Sequence, residues 1–143
     1  MSALTLDHAR SIIAGALGHA RTNNFQKLAI AVLDARGAQK AFAAEDGTSL
    51  KRGDIALGKA AGALAMGMGS RALFNRAQQQ PSFIAAVTHA VGGSLIPVPG
   101  GVLIKDSSGM LLGAVGISGD TSDNDEAAAL AGIAASGLVA DPG

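Results

Sequence analysis

PVPGGVLIKDSSGMLLGAVGISG, Pro97 to Gly119, holds two apolar runs, Gly101 to Lys105 and Met110 to Ile117, joined by Asp106-Ser107-Ser108-Gly109. Aliphatic and β-branched runs bounded by Gly, Pro, Asp and Ser predict strands, and the short turn between them predicts a hairpin. A hairpin brings its far ends together. The Pro99-Gly100-Gly101 entrance and the Ser118-Gly119 exit therefore meet at one glycine-lined rim, where another group can approach the backbone closely.

Upstream, Thr5 is an N-cap for a helix over Leu6 to Thr22, with Asp7 in its first turn and an apolar stripe of Leu6, Ala9, Ile13, Ala16, Leu17 and Ala20. Asn23-Asn24 break it. Leu28 to Leu33 reads as a buried strand, Asp34-Ala35-Arg36-Gly37 as a turn and Ala38 to Ala44 as a second strand. Ser49 then caps a helix from Leu50 to Met66 with Lys59 in its middle. Gly67-Met68-Gly69 ends that helix, Ser70 caps a short turn through Phe74, and Gln78 to Pro81 is polar and exposed. Ser82 to Ala90 is a short helix with Phe83, Ile84 and Val87 inward. After the hairpin, Asp123 and Glu126 have the spacing of a capping box for a last helix that stops at Gly137. Hairpin-connected strands with helices between them predict an α+β fold on an antiparallel sheet.

The 143 residues are the size of one domain, 1–143, and bury about two-thirds of their unfolded surface on folding. Apolar residues make up 48%, yet the aromatic content is four Phe, so close packing must come from aliphatic side chains and backbone approach. With 11 basic and 11 acidic residues the net charge is zero, which gives no electrostatic reason to expect nucleic acid or an anionic membrane. Charged residues are only 15% of the chain, and such low charge favours self-association. The absence of cysteine rules out disulfides and thiolate metal sites. Met1-Ser2-Ala3-Leu4-Thr5 lacks the features of a secretion signal, and no apolar run reaches a bilayer span, so a soluble, cytoplasmic protein is expected. Gly113, Gly116 and Gly119 are spaced by three, but no helix follows where a dinucleotide site needs one and no P-loop lysine is present.

Ala29-Ile-Ala-Val-Leu-Asp34-Ala-Arg-Gly37, Ile55-Ala-Leu-Gly-Lys59-Ala60, Pro99-Gly100-Gly101-Val102 and Leu112-Gly113-Ala-Val-Gly116-Ile-Ser118-Gly119 with Asp125-Glu126 after it resemble the GlcG/HbpS-like family, the haem-degrading domain proteins that include the C-terminal domain of PduO-type proteins. The resemblance runs over nearly the whole chain. It implies a profilin-like α/β/α sandwich with an antiparallel sheet of about five strands, homo-oligomerisation, and binding of haem or a related tetrapyrrole as the small-molecule ligand.

Haem needs an axial ligand and an apolar slot. His8, His19, His89, Met66, Met68 and Met110 are the conventional candidates, and the histidines lead. His8 and His19 lie off the apolar stripe, about three turns apart, where a solvated face is the simpler explanation. His89 precedes Gly92-Gly93. The alternative is a cofactor-independent enzyme of isomerase or tautomerase type acting on a small organic acid. There Lys59 would be a base, a Schiff-base amine or a carboxylate anchor, Asp125 and Glu126 acid/base groups, and Gly100, Gly101 and Ser118 oxyanion donors. An ion pair of Lys59 with Asp125 or Glu126 competes with that role. The third reading is a structural or partner-binding oligomer. The enzyme reading expects a pocket where Pro99, Gly100 and Gly101 meet Ser118 and Gly119, with Lys59 reaching into it. It also expects Lys59→Met to weaken anion binding while leaving stability little changed.

Overall fold

A computed structural model describes residues 3–143. Met1 and Ser2, part of the stretch read for a secretion signal, lie outside the described residues. The elements are α1 (Leu6–Thr22), β1 (Ala29–Asp34), β2 (Gln39–Ala44), α2 (Arg52–Met66), α3 (Ser70–Gln79), α4 (Pro81–Ala90), β3 (Gly101–Lys105), β4 (Leu111–Ser118), α5 (Ser122–Ala135) and β5 (Val139–Asp141). The strands form one sheet in the order β2-β1-β4-β3-β5, every neighbouring pair antiparallel. Among the described residues, no helix is long and apolar enough to cross a membrane.

The alternation of side chains along a strand sets the layers. In β1, Ile30 and Val32 face α1 and α5, where they pack with Ile12, Ala16 and Ile133. Ala29, Ala31 and Leu33 face the other way, toward Ala56, Ala60 and Ala63 of α2. Small residues on that side let α2 lie almost on the sheet backbone. A Cβ placed on Gly116 would come 1.9 Å from the Ala56 carbonyl oxygen, and one on Gly101 would come 2.3 Å from that of Lys59. Glycine is therefore a packing requirement at both positions. The pair α3–α4 completes the α2 side through Leu73, Ile84 and Leu95.

The hairpin forms as the sequence predicts. Asp106 Oδ1 accepts from the amides of Ser108 at 2.9 Å and Met110 at 3.0 Å, and Gly101 pairs with Gly116 at the far end. Thr5 caps α1 reciprocally, its Oγ1 accepting from the His8 amide at 3.0 Å and its own amide donating to His8 Nδ1 at 3.2 Å.

Several details differ from the sequence reading. Ile12 takes the buried place on α1 assigned to Ile13, while Leu6 is 42% exposed, because the helix packs chiefly against α5 beside it on the same face of the sheet. No side chain caps α2, which starts at Arg52; Ser49 contributes only its carbonyl, to the Arg52 amide at 3.1 Å. The Ser70 turn extends into the full helix α3, and Phe83 lies on the surface with the Arg76 guanidinium 4.6 Å above its ring. Thr121, not Asp123, caps α5, its hydroxyl accepting from the Asn124 amide at 3.2 Å. A short edge strand, β5, adds to β3 beyond the last helix.

Candidate functional site

The two glycine-rich ends of the hairpin converge on the middle of α2, and Lys59 points between them. The junction is filled. Lys59 is 2% exposed; its Nζ donates to the Ile117 carbonyl at 2.8 Å and to Asp125 Oδ2 at 3.1 Å. Asp125, 1% exposed, takes the Asp120 amide on its other oxygen at 2.9 Å. Burial pushes the Lys59 pKa below its ordinary value against the opposing pull of Asp125, and burial raises that of Asp125. Gly100, at φ +123°, leaves room for this ammonium, since a Cβ there would sit 2.8 Å from Nζ. The pocket expected around Lys59 is thus a correction: the α2 backbone approaches the sheet too closely to leave space, and the lysine and aspartate neutralise each other in the gap.

Of the proposed oxyanion donors, the Gly101 amide is already engaged, and Gly100 and Ser118 accept hydrogen bonds within the fold. The Gly101 amide donates to Ser70 Oγ at 2.7 Å, and that hydroxyl returns a bond to the Gly101 carbonyl at 3.2 Å. Gly100 accepts from the Ile117 amide at 3.0 Å, and the buried Ser118 hydroxyl accepts from Arg52 Nη1 at 3.2 Å. Ser118 and Gly101 therefore hold α2 and α3 against the sheet.

Open space lies on either side of this plug. Pro99 lines a cleft of about 370 Å³ with Phe74, Val98, Arg71 and the Thr121–Asp123 turn. Glu126 is turned to that side, where its carboxylate takes Arg71 Nε at 2.9 Å while Asp123 takes Nη2. Two carboxylates hold Arg71 firmly protonated. Gly119 instead lines a recess of about 200 Å³ with Lys27, Thr48, Ser49 and Arg52. Arg52 and Arg71 were missed in the sequence. The available signal was Lys51-Arg52 at a helix start, where cations oppose the helix dipole.

The three histidines are far apart in role. His8 Nδ1 is committed to the α1 cap. His19, on the last turn of α1, stands edge-on to Phe25 with ring centroids 5.5 Å apart. His89 is exposed at the end of α4 and lines a broad recess of about 520 Å³ with Ala85, Thr88, Gly92 and Gly93. Among the described residues it has no hydrogen-bond partner, so both ring nitrogens face solvent or a ligand. Met66 and Met68 pack against the Leu73 cluster, and Met110 is 55% exposed at the hairpin turn. Among the described residues, no group of three or more His, Asp or Glu is placed to hold a metal ion.

A five-stranded antiparallel sheet between α1–α5 and α2, with small-residue contacts at its centre and recesses at its rim, defines a class of α/β/α sandwich. The chain matches the sequence profile of the haem-degrading protein HbpS-like family over residues 4–134, and it belongs to that family. No curated protein sequence matches it. Among solved structures it is similar to the PduOC–haem complex, at 23% identity and a TM-score of 0.86 over 96% of this chain and 98% of that one. The ORFY protein of Klebsiella pneumoniae is 23% identical with a TM-score of 0.82, over 93% of this chain and 90% of that one. A double mutant of Streptomyces reticuli HbpS is 25% identical with a TM-score of 0.79, over 94% and 87%. These likenesses confirm the antiparallel sandwich read from the sequence.

Proposed function

We propose that this protein binds haem or a related tetrapyrrole, with His89 as the axial ligand. Family membership makes haem the ligand to test first, and a structurally similar relative was crystallised in complex with it. The observation that carries the assignment to His89 is local. Its imidazole is exposed and unpartnered among the described residues, whereas His8 is tied into a helix cap. An imidazole nitrogen with a free lone pair is what haem iron takes from a protein.

The surroundings fit a flat macrocycle. Ala85 lies one turn before His89 on α4, and Gly92 and Gly93 follow it, so no long side chain stands over the recess. When bound, haem would supply the iron chemistry; the protein residues supply the axial nitrogen and an apolar bed.

Haemin titration followed in the visible tests this reading. Wild-type protein should give a saturable Soret shift, retained in His8→Ala and His19→Ala and lost or altered in His89→Ala. An unchanged spectrum in His89→Ala removes His89 as ligand, and the absence of saturable binding in the wild type removes the haem reading itself.

A further inference from the structure

We propose that the recess between the Gln26–Lys27 segment and the start of α2 binds a phosphate group. The recess joins two cations that the fold leaves without a counter-charge. Among the described residues, Arg21, Arg36, Lys51, Lys59, Arg71 and Lys105 each have a carboxylate partner within ion-pair distance; of the cations without one, Lys27 and Arg52 share a cavity. Both line the same cavity, with the hydroxyl residues Thr48 and Ser49 between them.

Arg52 is held in place for such a role. One Nη donates to the buried Ser118 hydroxyl at 3.2 Å, which fixes the guanidinium at the rim of the sheet and leaves its other N–H groups for a ligand. Two carboxylates on the adjoining segments, Glu45 and Asp120, are already engaged. Glu45 is occupied by the Leu28 amide at 2.8 Å and by Arg21, and Asp120 by the amides of Gln26 at 2.6 Å and Thr121 at 2.7 Å.

The donor set favours phosphate over carboxylate. A guanidinium fork, an ammonium and two hydroxyls offer more donors than the two oxygens of one carboxylate accept, while a phosphate presents three or four oxygens in tetrahedral directions. A cavity of about 200 Å³ suits the phosphate group itself, with any larger body left outside. Inorganic phosphate and the phosphate of a small monoester share this chemistry.

Amide chemical shifts provide the test, followed at low ionic strength while inorganic phosphate, glycerol phosphate or acetate is added to the full chain. Saturable shifts should centre on Lys27, Thr48 to Gly53 and Gly119 with either phosphate, and acetate should bind at least about tenfold more weakly. The tighter phosphate identifies the source. Arg52→Met and, independently, Lys27→Met should each weaken binding by about tenfold or more, the scale of a charge-assisted hydrogen bond. Lys27 is exposed and outside the core, so its variant tests the site even if Arg52→Met unfolds. Non-saturating shifts, shifts centred elsewhere, or equal affinity in folded Lys27→Met protein would overturn the proposal. Haem binding at α4 is a separate measurement and neither result decides the other.

Discussion

Lys59 is a charge in the middle of a helix face otherwise made of Ala and Gly, and its partner decides what it does. With Asp125 the pair is sealed from water, each group spending its charge on the other and on a backbone group. Removing one member of such a pair leaves the other buried and uncompensated, at a cost of about 3 to 5 kcal/mol. Lys59→Met should therefore lower stability by that order in urea denaturation, with a large part recovered in Lys59→Met/Asp125→Asn. This reverses the small stability change expected from sequence; a single variant as stable as wild type would restore it. The ion pair itself was legible as an alternative, but the choice between Asp125 and Glu126 was not. Consecutive helical residues point about 100° apart, and only the packing angle of α5 shows which faces α2. Asp120 permits a pH test. The Gln26 and Thr121 amides hold its carboxyl below the ordinary 3.8, so its contribution is present above that value and is lost as pH falls through the lower, folded pKa. Thermal melts between about pH 5 and about pH 2 should show wild type losing its advantage over Asp120→Asn at the acid end. An advantage independent of pH would mean that the carboxylate charge contributes nothing.

At the scale of elements, the glycines divide into those that a helix needs and those that it tolerates. Gly116 has the Ala56 carbonyl in the place where a Cβ would be, so Gly116→Ala must lift α2 from the sheet and should cost about 1 to 3 kcal/mol, the range typical of overpacking. Gly18 lies in α1 with nothing within 4 Å of a Cβ. Gly18→Ala should stabilise by about 0.5 to 1 kcal/mol, because alanine loses less backbone entropy in a helix. Paired thermal melts check both signs, and destabilisation by Gly18→Ala or none by Gly116→Ala contradicts the close-packing account. The distinction between these glycines is invisible in the sequence, since both sit in regular elements. What the sequence did disclose were elements with local signals: Thr5 and Asn23 bound α1, and the Asp106–Gly109 turn sets the hairpin. It hid α3, whose Asn75–Gln80 run is polar enough to read as a loop, and β5, whose three residues pair only with distant β3.

For the whole molecule, the accessible surface of 6752 Å² is close to the roughly 6700 Å² expected of a compact monomer of 14.0 kDa. A compact protomer of this kind can assemble through surfaces that it already presents. One such surface is marked by Leu50, 89% exposed, and Phe42, 45% exposed on the edge strand β2. They flank the same helix start: a Cβ on Gly53, three residues past Leu50, would touch the Phe42 ring at 3.0 Å. Large apolar side chains beside an open sheet edge are a customary place for a second chain to dock. With zero net charge, no long-range repulsion opposes it. Light scattering should find a dimer or larger at micromolar protein, and Leu50→Asp should shift the mass downward while far-ultraviolet circular dichroism stays the same. The substitution places a charge on an exposed loop residue, so it acts on association and not on the core. Wild-type protein that is monomeric at every concentration would remove the oligomer. An assembled mass that Leu50→Asp leaves unchanged would move the interface away from the β2 edge, to another face of the sandwich.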